Sequence, residues 1–372
     1  MDKELRFIIS GGGTGGHIFP AVSIANAIRA LCPEAKILFV GAQGRMEMQR
    51  VPAAGYEIKG LPISGFDRKN LLKNIGLPFK LLRSWAMAWR ILRNFRPQVA
   101  VGVGGYASYP TLQVASWMGI PTLIQEQNSF AGKANIRLAK KAARCCVAFE
   151  GMERFFPADR IMLTGNPVRK QMLETALTRE QAIASLGLDP EKKTVLIVGG
   201  SLGARTLNEA VMTHLDDIRH SGVQFVWQTG KYYYESVMAQ LAQLPAPDNL
   251  KPMDFITDMG AAYRAADLVI SRAGASSVSE FCLIGKPVIM VPSPNVTEDH
   301  QTKNAMALVS KQAALMVRDA EAKDQLIALA IDTVKDEAKL QTLSQNVLKL
   351  ALPDSADVIA REVIALTNNH PK

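Results

Sequence analysis

Leu5-Arg6-Phe7-Ile8-Ile9-Ser10-Gly11-Gly12-Gly13-Thr14-Gly15-Gly16-His17 opens as a short apolar run and closes in a run of glycines. Behind it, Ala21-Val22-Ser23-Ile24-Ala25-Asn26-Ala27-Ile28 carries apolar residues at helical spacing, with Pro20 near the expected helix start. Lys36-Ile37-Leu38-Phe39-Val40-Gly41 then reads as a second strand. Strand, glycine turn, helix, strand is a βαβ unit, whose strands should run parallel with a right-handed crossover.

The same grammar returns further on. Thr194–Val198 is a strand, Gly199-Gly200-Ser201-Leu202-Gly203-Ala204 a turn, Arg205–Val211 a helix start, and Val223–Gln228 the next strand. Further strands are expected at Val99–Val103 and Pro121–Gln125 in the first half, and at Leu268–Ser271 and Pro287–Val291 in the second. A chain of 372 residues is long for one core. The reading is therefore α/β, with two Rossmann-like parallel-sheet domains in tandem. The expected divisions are 1–166, 167–350, and a C-terminal segment 351–372 whose helix could pack back on the first domain, a point the sequence does not settle.

Composition narrows the class. Hydrophobic residues make up 48% and charged residues 21%, the balance of a globular protein. The charged start, Met1 to Arg6, argues against a signal peptide. The longest uncharged stretch, between Arg96 and Glu126, is broken by glycines and prolines, so no membrane-spanning helix is expected. Cys32, Cys145, Cys146 and Cys282 lack metal-ligand spacing and fit a reducing cytoplasm, and no structural metal is expected.

The net charge of +9 is concentrated: no acidic residue lies between Asp67 and Glu126. There Leu77, Phe79, Leu82 and Trp85 interleave with Lys80, Arg83, Arg90, Arg93 and Arg96. Apolar groups that enter an acyl boundary while cations meet anionic headgroups would make this a membrane-contact segment. An amphipathic helix packed on the sheet, with its basic face in water, fits the same pattern.

Each motif has a chemistry and a plainer alternative. Glycine turns at strand-to-helix junctions let backbone N–H groups approach an anion, and they also serve as tight connections. The first turn has no carboxylate after its second strand, where Val40-Gly41-Ala42-Gln43 is uncharged, and no Lys-Ser/Thr pair after its glycines. That disfavours NAD and ATP. His17, at the carboxyl edge of the sheet, suits a general base or a loop-packing role. Glu280 follows Ser271-Arg272-Ala273-Gly274-Ala275-Ser276-Ser277 and falls about one turn into a helix. It could hold a ribose diol or complement the helix dipole. Glu298-Asp299-His300-Gln301-Thr302-Lys303-Asn304 is dense in groups able to bond sugar hydroxyls.

Taken together, Gly12–His17, Gly104-Gly105-Tyr106, Glu126-Gln127-Asn128, Gly165-Asn166-Pro167-Val168-Arg169, Gly199-Gly200-Ser201, and segments 271–280 and 300–304 resemble one family. It is that of the lipid-intermediate N-acetylglucosaminyltransferases of bacterial peptidoglycan synthesis, the MurG family, and the resemblance runs from Phe7 to the last helix. It implies a GT-B fold, with two Rossmann-like domains facing each other across a cleft. It also implies inverting transfer of N-acetylglucosamine from UDP-N-acetylglucosamine to the C4 hydroxyl of undecaprenyl-diphospho-N-acetylmuramoyl-pentapeptide (lipid I), giving lipid II. Neither a cofactor nor an obligatory metal is implied.

By the resemblance the C-terminal domain holds the donor. Ser201 and its loop would meet the diphosphate, Ile256 the uracil, Glu280 the ribose, and Gln301 the sugar hydroxyls with His300 beside it. Ala275 and Ser276 fall in the same donor segment. Thr14, Gly15, Gly16, Asn128 and Arg169 match positions bordering the cleft, and the first glycine loop would face the acceptor diphosphate. The implied partners are UDP-N-acetylglucosamine, lipid I, an anionic membrane surface and other cell-wall synthesis proteins, with no nucleic acid. The implied location is peripheral, on the cytoplasmic face of the plasma membrane. Two departures stand out: Leu202 where many members carry Gln, and His300 where some carry Gln. His17 is the first candidate base and Glu126 its competitor. A diacylglycerol glycosyltransferase of the same fold and a non-catalytic nucleotide-sugar sensor are the alternatives.

Overall fold

The opening run becomes β1 (Arg6–Ser10), the third strand across a seven-stranded sheet in the computed structural model, which describes residues 4–65, 76–168 and 175–369. The other strands are β2 (Lys36–Ala42), β3 (Glu57–Leu61), β4 (Val99–Gly102), β5 (Thr122–Glu126), β6 (Arg144–Val147) and β7 (Ile161–Leu163). Their order is β3-β2-β1-β4-β5-β6-β7, and every pair is parallel. Phe7 and Ile9 pack into one helical layer and Ile8 into the other, all fully buried. Burial on both faces is why the run is continuously apolar rather than alternating.

The first helix corrects the expectation drawn from Pro20. It runs Gly15–Leu31, with Thr14 as its N-cap residue, and Pro20 lies inside it. A proline there forfeits one N–H and crowds the carbonyl four residues back. That carbonyl belongs to Gly16, and the buried face through Ile18, Ala21, Ile24 and Ile28 carries the helix on.

The chain divides into two compact units, 1–169 with 352–372, and 170–351. In the first unit the helix Ser355–Ala365 lies against Gly15–Leu31. It sends Ile359, Ala360 and Val363, all fully buried, into the core that holds Phe7 and Ile9. Gly165 sits at φ +81°, and a Cβ there would fall 2.5 Å from Ser355 Oγ, so the close approach of this segment needs glycine.

The second unit repeats the plan with β8 (Thr194–Val198), β9 (Gln224–Gln228), β10 (Leu250–Met253), β11 (Leu268–Ser271), β12 (Val288–Met290) and β13 (Leu315–Met316). Their order is β10-β9-β8-β11-β12-β13, again all parallel and the same as in the first six strands. The chain reverses its direction of winding between β1 and β4, and between β8 and β11. Open parallel sheets bind ligands at the carboxyl ends of the strands beside such reversals. Both glycine turns stand there. Among the described residues no helix is long and apolar enough to cross a membrane.

Candidate functional site

In the first unit the turn after β1 packs against the turn after β4. Gly12 N–H donates to Gly104 O at 3.2 Å. A Cβ on Gly105 would lie 2.3 Å from Gly12 O, and one on Gly104 2.8 Å from the His17 ring. These glycines let two backbones and an imidazole share one small space. Thr14, Gly15 and Gly16 form the start of the helix, where N–H groups have no intrahelical acceptor and the dipole is positive.

Not every N–H of the turn is available to a ligand. Gly13 N–H donates to Glu47 Oε2 at 2.8 Å, and Ala42 N–H to Glu47 Oε1 at 3.0 Å. Glu47 is buried, with its carboxylate filling the space a side chain on Gly12 would need. The Gly13 N–H is therefore committed within the protein, to Glu47.

The two candidate bases differ in what surrounds them. His17 is half-buried, and its Nδ1 lies 2.9 Å from Gln127 Oε1. Glu126 is 2% exposed. Its Oε1 accepts from the Asn128 N–H at 3.1 Å and Asn128 Nδ2 at 3.3 Å, and its Oε2 from the Gly132 N–H at 3.1 Å and Asn135 Nδ2 at 2.8 Å. The carboxylate thus organises the loop that leads into the helix Lys133–Ala139. Asn128 belongs to that same arrangement. Arg169 and residues 66–75 of the basic stretch lie outside the described residues.

The second unit builds its turn in the same way. A Cβ on Gly203, at φ +88°, would fall 2.1 Å from Thr229 O, and one on Gly230 would fall 2.1 Å from Gly203 N. Ser201 stands exposed at the tip, with its carbonyl accepting from Lys231 N–H at 3.2 Å. Behind the turn the helix Arg205–Thr213 is tied to β9, where Trp227 Nε1 donates to Asn208 Oδ1 at 3.0 Å.

Two residues the sequence reading passed over hold this half together. Gln228, buried at the end of β9, donates from Nε2 to Gly200 O at 3.0 Å and accepts the Ile256 N–H at 3.0 Å. It therefore fixes the glycine turn and the Ile256 loop relative to each other. Ile256 is only 2% exposed, and its N–H is committed. Tyr263 is the other. Burial first, then the charge and hydrogen bond of Glu280, push its phenol far above the ordinary range. The hydroxyl thus stays protonated and donates to the Glu280 carboxylate.

Ala275 and Ser276 open the helix Ala275–Ile284 behind Gly274, and Glu280 follows in its second turn. His300 and Gln301 open the helix His300–Val309. The two residues before it, Glu298 and Asp299, have φ of +58° and +51°. Left-handed backbone at consecutive non-glycine residues is strained and gathers at functional sites. Gln301 Oε1 accepts Ser293 N–H at 2.9 Å, which fixes the amide's orientation. A cavity of about 560 Å³ in this unit is lined by Lys192, Arg219, Asn249 and Lys251 at the opposite ends of the strands. No sequence-predicted site residue lines it.

The basic stretch forms a helix, Leu77–Phe95. Phe79 is 74% and Leu82 58% exposed, whereas Leu77 and Trp85 are half-buried. Trp85 packs edge-on against Trp117, which is itself 55% exposed, and Trp89 adds a further exposed ring. Among the described residues no cluster of His, Cys, Asp or Glu could hold a metal ion. Burial pushes the thiols of Cys145 and Cys282 up, to about 11 and about 12, so they are inert at neutral pH.

Comparison with known proteins settles the family. Residues 7–147 match the N-terminal domain of glycosyltransferase family 28, and residues 194–359 match its C-terminal domain. Over 372 residues the chain is 64% identical to the UDP-N-acetylglucosamine--N-acetylmuramyl-(pentapeptide) pyrophosphoryl-undecaprenol N-acetylglucosamine transferase of Phocaeicola vulgatus, covering 100% of this chain and 99% of that one. The chain belongs to the MurG family. A MurG-family relative of the same name in Bacteroides fragilis is 64% identical over 363 residues, covering 97% of this chain and 96% of its own. The crystal structure of Acinetobacter baumannii MurG superposes with a TM-score of 0.78 at 29% identity, covering 97% of this chain and 99% of that one. The fold is thus the GT-B fold of the MurG family, built from two Rossmann-like parallel-sheet domains.

Proposed function

We infer that this chain transfers N-acetylglucosamine from UDP-N-acetylglucosamine to the C4 hydroxyl of the N-acetylmuramoyl-pentapeptide on undecaprenyl diphosphate. The product is lipid II of peptidoglycan synthesis, on which cell shape and division depend. The observation that carries this reading is the full-length identity to relatives of that name. Inversion follows from a single displacement, in which the acceptor hydroxyl attacks the anomeric carbon as UDP departs.

The donor belongs to the second unit. Charge building on UDP is met by the N–H groups and hydroxyl around Gly199–Gly203, with a helix N-terminus behind them. Ala275 and Ser276 add a second helix start nearby in the fold. With its N–H held by Gln228, Ile256 meets the uracil N3–H through its carbonyl. Glu280, held by Tyr263, accepts from the ribose hydroxyls, and Gln301 donates to the sugar with His300 beside it.

The acceptor belongs to the first unit. His17 takes the proton from the C4 hydroxyl, because both oxygens of Glu126 already accept from the 128–135 loop. Thr14, Gly15 and Gly16 meet the lipid diphosphate, with Asn128 and Arg169 as further polar contacts. Phe79, Leu82, Trp89 and Trp117 enter the acyl boundary while the arginines of Leu77–Phe95 meet anionic headgroups. The enzyme then works as a peripheral protein on the cytoplasmic face of the plasma membrane.

Incubation with labelled UDP-N-acetylglucosamine and either lipid I or diacylglycerol tests the reading. Label in a lipid I product is expected. Label on diacylglycerol alone, or binding without turnover, would sink it.

A further inference from the structure

Three buried side-chain amides run from the His17 ring into the first sheet. Gln125, Gln127 and Asn166 are each no more than 2% exposed. Asn166 Nδ2 donates to the backbone carbonyl of Gln127 at 3.0 Å. A carbonyl only accepts, so the NH₂ end of Asn166 is fixed there and its Oδ1 faces Gln125, which donates from Nε2 at 3.0 Å. Gln125 in turn offers its Oε1 to Gln127 Nε2. That same Nε2 donates to the backbone carbonyl of Val103 at 2.8 Å, a second fixed anchor. Reversing any one of the three amides sets oxygen against oxygen or NH₂ against NH₂. Gln127 Oε1 therefore points at His17, 2.9 Å from Nδ1.

An amide oxygen has no proton to give, so His17 Nδ1 must carry the hydrogen. In the neutral ring the lone pair then resides on Nε2. We propose that Gln127, held by Gln125, Asn166 and the Val103 carbonyl, is a positioning residue that fixes the Nδ1–H tautomer of His17. This rests on the reading of His17 as the base. Proton transfer then runs from the acceptor hydroxyl to Nε2, leaving an imidazolium whose Nδ1–H stays bonded to Gln127. The group that orients the ring through Nδ1 is a neutral amide, which brings no charge of its own. Among the described residues, the Glu47 carboxylate is taken up by Gly13 and Ala42, and that of Glu126 by the 128–135 loop.

The experiment is nitrogen-15 NMR of histidine-labelled full-length protein at a pH where the ring is neutral. The chain has five histidines, and His17→Ala assigns the signal. The expected result is Nδ1–H at His17 in the wild type and a shift toward Nε2–H in Gln127→Met. In the same variant kcat should fall by about 10²-fold, with KM for UDP-N-acetylglucosamine unchanged, which also reports an intact second unit. Gln125→Met leaves the Val103 anchor and should keep the Nδ1–H tautomer and more of the activity. Nε2–H in the wild type, or Nδ1–H undisturbed in Gln127→Met, overturns the proposal. Because the tautomer is read without turnover, that failure is distinct from failure of the base assignment, which would show as wild-type kcat in His17→Ala.

Discussion

Single polar side chains decide how the candidate site is held, and few of them announce themselves in the sequence. Gln228 and Tyr263 matter because each bridges segments far apart in the chain: Gln228 two loops, Tyr263 the helix that carries Glu280. Glu126 reads as a candidate base from its neighbours alone, and only its four donors show that it builds a loop. Away from the site, Lys286 makes a testable case. Burial pushes its ammonium down to about 8, against a partial pull upward from Asp267. The folded-state value is depressed, so between about pH 8 and 10 the unfolded chain binds more protons and this residue's contribution to stability rises with pH. Lys286→Met should therefore gain on the wild type as pH falls from 10 to 7, by about 1–3 kcal/mol. Urea midpoints of both proteins at the two pH values measure this, and a difference independent of pH would refute it.

At the scale of elements, the central strands were legible and the edges were not. Strands β1, β4, β8 and β11 are uninterrupted apolar runs because helices cover both faces. Edge strand β3 reads Glu57-Ile58-Lys59-Gly60-Leu61, and β13 has two residues, so neither carries a pattern that rises above its surroundings. Cys145 and Cys146 are fully buried within β6, a strand that the cysteine spacing did not announce. Both glycine turns were legible as turns. What they pack against was not, since Gly105 and Gly230 answer to backbone brought close only by folding. The helix Leu77–Phe95 gives the prediction at this scale. Phe79→Glu with Leu82→Glu replaces its two most exposed apolar groups and leaves the buried Ser84, Ala88 and Leu92 untouched. Cosedimentation with vesicles containing anionic lipid should fall at least about tenfold, with thermal stability unchanged. Equal binding by variant and wild type would remove this helix from the membrane-docking role.

For the whole molecule, the second unit is continuous in sequence but the first is closed by the end of the chain. Ile359, Ala360 and Val363 sit in the same core as Phe7 and Ile9. Each larger apolar side chain buried there contributes about 1.5–3 kcal/mol. Deleting residues 352–372 should therefore strip amide protection from β1 and the helix Gly15–Leu31, with protection in β8 and β11 retained. Hydrogen exchange reads both units in one experiment, and undiminished protection in β1 would contradict the packing account. The duplicated strand order has a functional corollary, because each sheet places one glycine turn at its reversal point. Under the proposed function the first serves the acceptor with His17 beside it, and the second serves the departing nucleotide.

That division of labour is tested most directly by transfer of labelled N-acetylglucosamine to lipid I at saturating substrates, comparing the wild type with His17→Ala and measuring UDP-N-acetylglucosamine affinity in parallel. The wild type should form lipid II. The variant should lose about 10²–10⁴-fold in kcat while binding the donor as tightly as before. A variant that turns over at the wild-type rate, or one that fails to bind the donor, would contradict the assignment of base and donor to separate units.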